Sequence, residues 1–170
     1  RSIPPIRIPG QKVRDDRGPF LARLSEVLSQ EYGGVKVAMM FVDSAFGSPF
    51  VERLQVMGHK NVQEVRFGSE SLDFHQANLR AYMWNRMKEW LQNGAITETD
   101  TKLELDLTGP GYKINRQDKL LIESKEDMAK RGVDSPDDGD ALALTFAAPV
   151  VPSYRSKPRG MVQSGAWDWS

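Results

Sequence analysis

VKVAMMFVD, residues 35–43, is an apolar run with a single lysine that ends at Asp43. The run is rich in β-formers and alternates poorly, which is typical of a strand buried on both faces at the centre of a parallel sheet. Residues 44–49, SAFGSP, follow as a loop that opens a helix, with Ser48 as its cap and Pro49 in its first position. Open α/β sheets bind ligands at the C-terminal ends of their strands. Asp43 is therefore a candidate for handling a cation or a charged substrate.

Patterns of alternating helices and strands surround this run. A helix begins near Phe20 and is stopped by Gly33-Gly34, while residues 103–107 are ambiguous between a helix and a strand. Ile6 and Ile8 allow a short edge strand. The other predicted helices are 48–58, 77–93, 125–131 and one opening at 135–136, and the other predicted strands are 62–67 and 120–123. Strands and helices alternating around a parallel strand indicate an α/β sandwich.

Composition excludes several classes of function. The chain has 170 residues and no cysteine, so disulfide scaffolds, thiolate zinc sites and cysteine nucleophiles are excluded. The formal net charge is zero, so any contact with nucleic acid must come from local patches. No segment is long enough to span a membrane. We expect one domain over residues 1–149 and a tail over residues 150–170 that is disordered when alone.

A second acidic cluster lies in residues 135–144, SPDDGDALAL. One interpretation is helix capping, with Ser135 as the cap and with Asp137 and Asp138 facing the positive end of the helix dipole. For these two aspartates, capping and a functional role are equally supported by the sequence. Asp140 differs because it lies beyond the first turn of the predicted helix.

Helical spacing places Asp137, Asp140 and Leu144 on one face, and this face should point toward the sheet. A carboxylate pointing into a core must be paired or bound to a metal ion. If the last helix packs on the central strand, Asp140 lies at the same sheet end as Asp43. Carboxylates without His or Cys partners select Mg²⁺ or Mn²⁺, and two such ions about 3.5–4 Å apart can clamp a phosphodiester. For Asp43, capping of the following loop or helix is the alternative.

Basic side chains near the acidic helix are candidates for phosphate contacts. Lys125, Lys130 and Arg131 precede that helix, although a solvated helix face is the favoured interpretation for the last two. For Lys125 both interpretations stay open, since it directly follows a strand. Arg80 is expected to form a salt bridge or to extend to solvent, and Trp84 is expected in the core.

Several blocks of this sequence resemble the nuclease domain of phage terminase large subunits. Residues 41–47, FVDSAFG, resemble its strand-end motif, and residues 80–84, RAYMW, resemble its Arg-Ala-x-Met-Trp helix. Residues 123–132, ESKEDMAKRG, and residues 135–147, SPDDGDALALTFA, are similar to its closing signature. The blocks occur in the order of the family and span roughly residues 6–147.

The resemblance implies an RNase H-like three-layer sandwich with a mixed central sheet. It implies a metal-dependent endonuclease that cuts concatemeric viral DNA during packaging and uses two Mg²⁺ or Mn²⁺ ions. Asp43 matches the strand-end acid of the family, Asp140 matches the helix acid, and Asp137 matches an auxiliary metal-side position. The implied partners are double-stranded DNA, the portal and the small terminase subunit, with no membrane. The implied location is the host cell cytoplasm during phage assembly.

The sequence departs from the family pattern at its N-terminal end. The family's first acid lies on a leading central strand that has no match here, since Asp15 and Asp16 lie in a charged loop. No phosphate loop of an ATPase motor is found either. The expectation is a nuclease domain truncated at its N-terminus. Two alternatives are a packaging-motor or DNA-docking fragment without turnover, and a small nucleotide-binding module that uses the Gly47 loop.

Overall fold

The computed structural model describes residues 4–96 and 99–151, and within them the chain is a mixed α/β protein with seven helices and six short strands. The helices are α1 (Gly10–Asp15), α2 (Arg17–Ser29), α3 (Ser44–Val56), α4 (Leu79–Leu91), α5 (Thr101–Thr108), α6 (Lys125–Lys130) and α7 (Asp137–Leu144). The strands are β1 (Glu31–Tyr32), β2 (Val35–Lys36), β3 (Met40–Asp43), β4 (Val62–Val65), β5 (Tyr112–Ile114) and β6 (Leu120–Ile122). The expected tail lies outside the described residues from position 152 onward.

Strands β3 and β4 pair in parallel between two groups of helices, with Asp43 opposite Val65 at the C-terminal end. Successive residues of a strand point to opposite faces. Met40 and Val42 accordingly pack with a cluster from α2, α3 and β4, whereas Phe41 packs with a cluster from β4, α4 and α7. The first cluster is centred on Leu28, Val51, Leu54 and Val62, and the second is centred on Val65, Met83, Trp84, Met87, Ala143 and Ala147. The β3–β4 pair therefore lies between two helical layers.

The apolar run at residues 35–43 is not one continuous strand. Its first two residues form β2, which pairs with β1 in an antiparallel hairpin. Gly33 and Gly34 form the turn with φ of 61° and 80°, a region that favours glycine. The prediction that these glycines stop α2 is wrong, because that helix ends at Ser29. Helices cover both faces of β3, but its residues are only partly buried, so the expectation of a strand buried on both faces is met only in part.

Helix α3 begins earlier than the sequence predicts. It starts at Ser44, with Asp43 as its cap, and Pro49 lies inside the helix rather than in its first position. The cap predicted at Ser48 is therefore wrong. Gly47 lies in the first turns of α3, where an added Cβ would be 2.1 Å from Cγ1 of Val42. The absence of a side chain at Gly47 is what lets α3 pack directly on β3.

The remaining elements follow the sequence more closely. Helices α4, α6 and α7 and strands β4 and β6 lie where their patterns predict them, and α2 does so apart from its end. The ambiguous segment at 103–107 is helical, as part of α5, and the segment containing Ile6 and Ile8 is not a strand. The described strands form three two-stranded sheets, β1–β2, β3–β4 and β5–β6, rather than one continuous mixed sheet. No helix within residues 4–96 and 99–151 is long and apolar enough to cross a membrane.

Candidate acidic site

Asp43 ends β3 and caps α3. Its side chain accepts a hydrogen bond from the backbone N–H of Ala45 at 3.2 Å, and the residue is partly exposed. This is the capping role that the sequence left open beside metal binding. Helix α7 packs against β3, so Asp43 and the acids of α7 belong to elements in direct contact.

Asp140 points into the protein, as the helical spacing predicts, and only 5% of the residue is exposed. Asp137, which the same spacing placed on that inward face, is exposed instead, so that part of the prediction is wrong. Its Oδ1 accepts hydrogen bonds from Arg80 Nε at 2.9 Å and from Trp84 Nε1 at 2.8 Å. Its Oδ2 accepts a longer bond of 3.3 Å from Arg80 Nη2. A buried carboxylate needs such partners, because desolvation of an unpaired charge is costly. The pairing explains how Asp140 is accommodated in the core.

Arg80 and Trp84 reach the same carboxylate because they lie four residues apart on α4 and share one face of that helix. The Arg80 side chain also donates from Nη1 to the backbone carbonyl of Glu123 at 2.8 Å. One buried guanidinium therefore connects α4, α7 and the segment after β6. The expected salt bridge of Arg80 is present, and the expectation that Trp84 lies in the core is confirmed.

Lys125 connects two of the three acids of α7, Asp137 and Asp140, from outside. Its Nζ lies 3.0 Å from Oδ1 of Asp137 and 3.5 Å from Oδ2 of Asp140. Ser135 also donates its hydroxyl to Asp137 at 2.7 Å. Partial burial opposes both charges, but these contacts outweigh it, so the pKa of Lys125 is raised and the pKa of Asp137 is lowered. Both groups are therefore charged at neutral pH.

The N-terminus of α7 is capped by a residue of another helix. Oδ2 of Asp106, on α5, accepts hydrogen bonds from the backbone N–H groups of Asp138 at 2.7 Å and Gly139 at 3.3 Å. The cap predicted at Ser135 is wrong, because its hydroxyl contacts Asp137 instead. The Asp138 carboxylate pairs with two other cations, those of Arg7 and Lys102.

The other two candidate phosphate contacts have partners within the protein. Lys130 pairs with Asp127 at 2.7 Å within α6. Arg131 pairs with Glu123 at 2.6 Å. The same Glu123 carboxylate accepts the backbone N–H of Gly111, and the two interactions lower the pKa of Glu123 to about 2. The contact of Lys130 agrees with the solvated-face interpretation. Arg131 is connected through Glu123 to Gly111, which lies in the loop between α5 and β5.

Two of the three predicted ligands, Asp137 and Asp140, have cations of the protein as neighbours. Within residues 4–96 and 99–151 no group of three or more Asp, Glu or His side chains is arranged to hold a metal ion. The charges of Asp137 and Asp140 are balanced by those of Lys125 and Arg80. A site for two hard cations instead needs an excess of oxygen ligands that carry negative charge.

Sequence patterns placed neither Arg80 nor Asp106 in this site, for different reasons. The burial of Arg80 had a signal, since an arginine and a tryptophan four residues apart on an apolar helix can contact one buried acid. Asp106 gave no such signal, because Glu104 and Asp106 fit the polar positions of α5 and the cap is a contact between residues far apart in the chain.

Comparison with models of protein families finds no match, and comparisons with curated proteins and with solved structures find none either.

Proposed function

We propose that this chain is the nuclease domain of a phage terminase large subunit, with an RNase H-like fold, and that it acts on double-stranded DNA during genome packaging. The observation that carries the proposal is the contact between segments that resemble this family. Arg80, from the block at 80–84, hydrogen-bonds both Asp140 and the carbonyl of Glu123, which belong to the two blocks of the closing signature. Helix α7 also packs on β3, which contains the first residues of the block at 41–47.

The proposed reaction is hydrolysis of a phosphodiester in the presence of Mg²⁺ or Mn²⁺. Such ions supply Lewis-acid activation of water and of the phosphoryl oxygens. Of the protein's own groups in this region, Asp137 and Lys125 are accessible, with side chains 69% and 48% exposed. Lys125 is suited to contact a DNA phosphate as a compact positive charge.

A second candidate function is DNA docking without turnover. The contacts of Asp140 favour it, since both of its oxygens already accept bonds from Arg80 and Oδ1 also accepts one from Trp84. Two carboxylates whose charges are already neutralised, with no third carboxylate beside them, bind hard cations poorly. Under this alternative the same surface binds duplex DNA but leaves it intact.

Nicking of supercoiled plasmid in Mn²⁺ tests the first function. We expect nicking by the chain and its loss in Asp43→Asn and Asp137→Asn. Asp138→Asn is the matched control. It also removes a carboxylate from α7, but this carboxylate pairs with Arg7 and Lys102 instead. Asp140→Asn should also abolish nicking, and circular dichroism must show that this variant is folded. Full activity in the Asp43 and Asp140 variants would remove both acids from the mechanism.

Binding of a fluorescent DNA duplex at increasing salt separates the two candidates. Phosphate contacts release counterions, so affinity should fall as salt rises. Salt-dependent binding without nicking favours the docking function. Absence of both binding and nicking contradicts both candidates.

A further inference from the structure

We infer that Lys125 takes the place of a divalent cation between Asp137 and Asp140, so that these acids bind such an ion weakly until the ammonium group is displaced. The inference rests on the proposed function in that it concerns cation access to the same acids. It starts from the finding that two of the predicted ligands, Asp137 and Asp140, are neutralised by cations of the protein itself.

Lys125 can substitute for a hard cation because of its chemistry and its place in the fold. An ammonium group is a compact charge that binds only acceptors, as Mg²⁺ and Mn²⁺ do with oxygen ligands. Lys125 begins α6, directly after the cap Ser124, and its Nζ bridges one oxygen of Asp137 and one of Asp140. It therefore occupies the space between the two carboxylates.

The two cations at these acids differ in how easily they can leave. The Arg80 side chain is only 11% exposed and donates to Asp140 and to the Glu123 carbonyl, so its removal would leave buried acceptors without partners. The Lys125 side chain is 48% exposed and ends a flexible stem, so it can move into solvent. Lys125 is therefore the exchangeable cation, and Arg80 is the permanent one.

The charge balance gives the direction of the effect. Two carboxylates and two cations sum to zero, whereas loss of the Lys125 charge leaves the group at −1. A unit charge 3.0–3.5 Å from the carboxylate oxygens strongly repels a second cation in a partly buried setting. Removing this charge should therefore raise the affinity of the α7 acids for a divalent cation.

Titration of the full chain with Mn²⁺ by calorimetry, without DNA, tests the inference. We expect Lys125→Gln to bind Mn²⁺ at least about tenfold more tightly than the wild type. Lys130→Gln is the matched control. It also removes one positive charge from α6, but this charge pairs with Asp127 and not with the acids of α7. This control should bind as the wild type does. Lys125→Arg keeps the charge and should also bind as weakly as the wild type.

A second set of variants locates the ion. Adding Asp137→Asn to Lys125→Gln should remove the gain in affinity, whereas adding Asp138→Asn should leave it. The inference is overturned if Lys125→Gln gains no more than Lys130→Gln, or if the gain survives Asp137→Asn. If Lys125→Gln fails to fold, Lys125→Met retains the apolar stem and carries the same expectations.

These results are independent of activity, so failure of the inference and failure of the proposed function can be told apart. Tighter Mn²⁺ binding by Lys125→Gln without plasmid nicking supports the inference and contradicts the nuclease function. Nicking that depends on Asp43 and Asp137, without a gain in Mn²⁺ affinity, supports the nuclease and contradicts the inference.

Discussion

Asp43 and Asp140 are the two acids that the sequence singles out most strongly, and the fold holds them in opposite ways. Asp43 accepts one bond, from a backbone N–H two residues further along the chain. Asp140 is held by side chains 60 and 56 residues away, those of Arg80 and Trp84. Local sequence therefore places the first acid and tertiary structure places the second. Of these two acids, only Asp43 can be replaced to test a chemical role without a large loss of stability.

The largest expected effect is a difference in the free energy of unfolding between variants of these two acids. Asp140→Ala leaves Arg80 buried without its partner and should lower the free energy of unfolding by about 3–5 kcal/mol. Asp43→Ala removes one helix cap and should cost about 1 kcal/mol. Urea unfolding followed by circular dichroism measures both values.

A double variant sharpens this prediction. Arg80→Met combined with Asp140→Leu replaces the buried pair with apolar side chains and should lose less stability than Asp140→Ala alone. Equal losses in Asp43→Ala and Asp140→Ala would contradict the contrast between the two acids.

At the Asp43 end, packing should matter more than charge. Gly47→Ala forces a methyl group against Val42 and should lower the free energy of unfolding by about 1–3 kcal/mol. Gly68→Ala is a suitable control, because an added Cβ there meets open space. Adding Val42→Ala to Gly47→Ala should recover part of the loss. A neutral Gly47→Ala would show that α3 does not rest on β3 as described.

The long-range cap of α7 should have a somewhat smaller effect. Asp106→Ala removes the acceptor for two backbone N–H groups and should cost about 1–2 kcal/mol in the free energy of unfolding. Asp106→Asn retains an oxygen acceptor and should cost less. Glu104→Ala, on the exposed side of α5, serves as the control and should be near neutral. A loss in the control as large as that in Asp106→Ala would count against the cap.

Glu123 extends the comparison to a third acid, which is held by the side chain of Arg131 eight residues away. Its contribution to stability should depend on pH. Arg131 and the N–H of Gly111 lower the pKa of Glu123 from 4.5 to about 2 in the folded protein. Its stabilising contribution is therefore complete above pH 4.5 and is lost as the pH falls toward 2. Thermal unfolding should show Glu123→Gln melting below the wild type at pH 6, with the difference shrinking toward pH 2. A constant difference would contradict this linkage.

Elements with strong local signals were predictable from the sequence. The patterns at residues 77–93 and 62–67 correctly placed α4 and β4. The direction of Asp140 also followed from helical spacing, because its i+3 and i+4 neighbours on α7 are apolar. Errors occurred where two local signals compete. Pro49 suggested a helix start, but the Asp43 cap and Gly47 packing allow α3 to begin five residues earlier.

Partners far apart in the chain could not be predicted. The hydrogen bonds that Asp106 accepts from α7 and that Arg80 donates to the Glu123 carbonyl depend on how helices pack, which no local pattern records. The same limit applies to Lys125. Its place after a strand left a phosphate contact and a solvated face both open, and only the structure shows that it bridges two acids.

The connection made by Arg80 has a consequence for the dynamics of the protein. Helix α7 has eight residues and is too short to persist without its neighbours. Since one guanidinium ties it to α4 and to the segment after β6, local opening of α7 should expose the others as well. Amide hydrogen exchange should therefore report the middle of α4 and α7 as a single cooperative unit, with similar opening free energies.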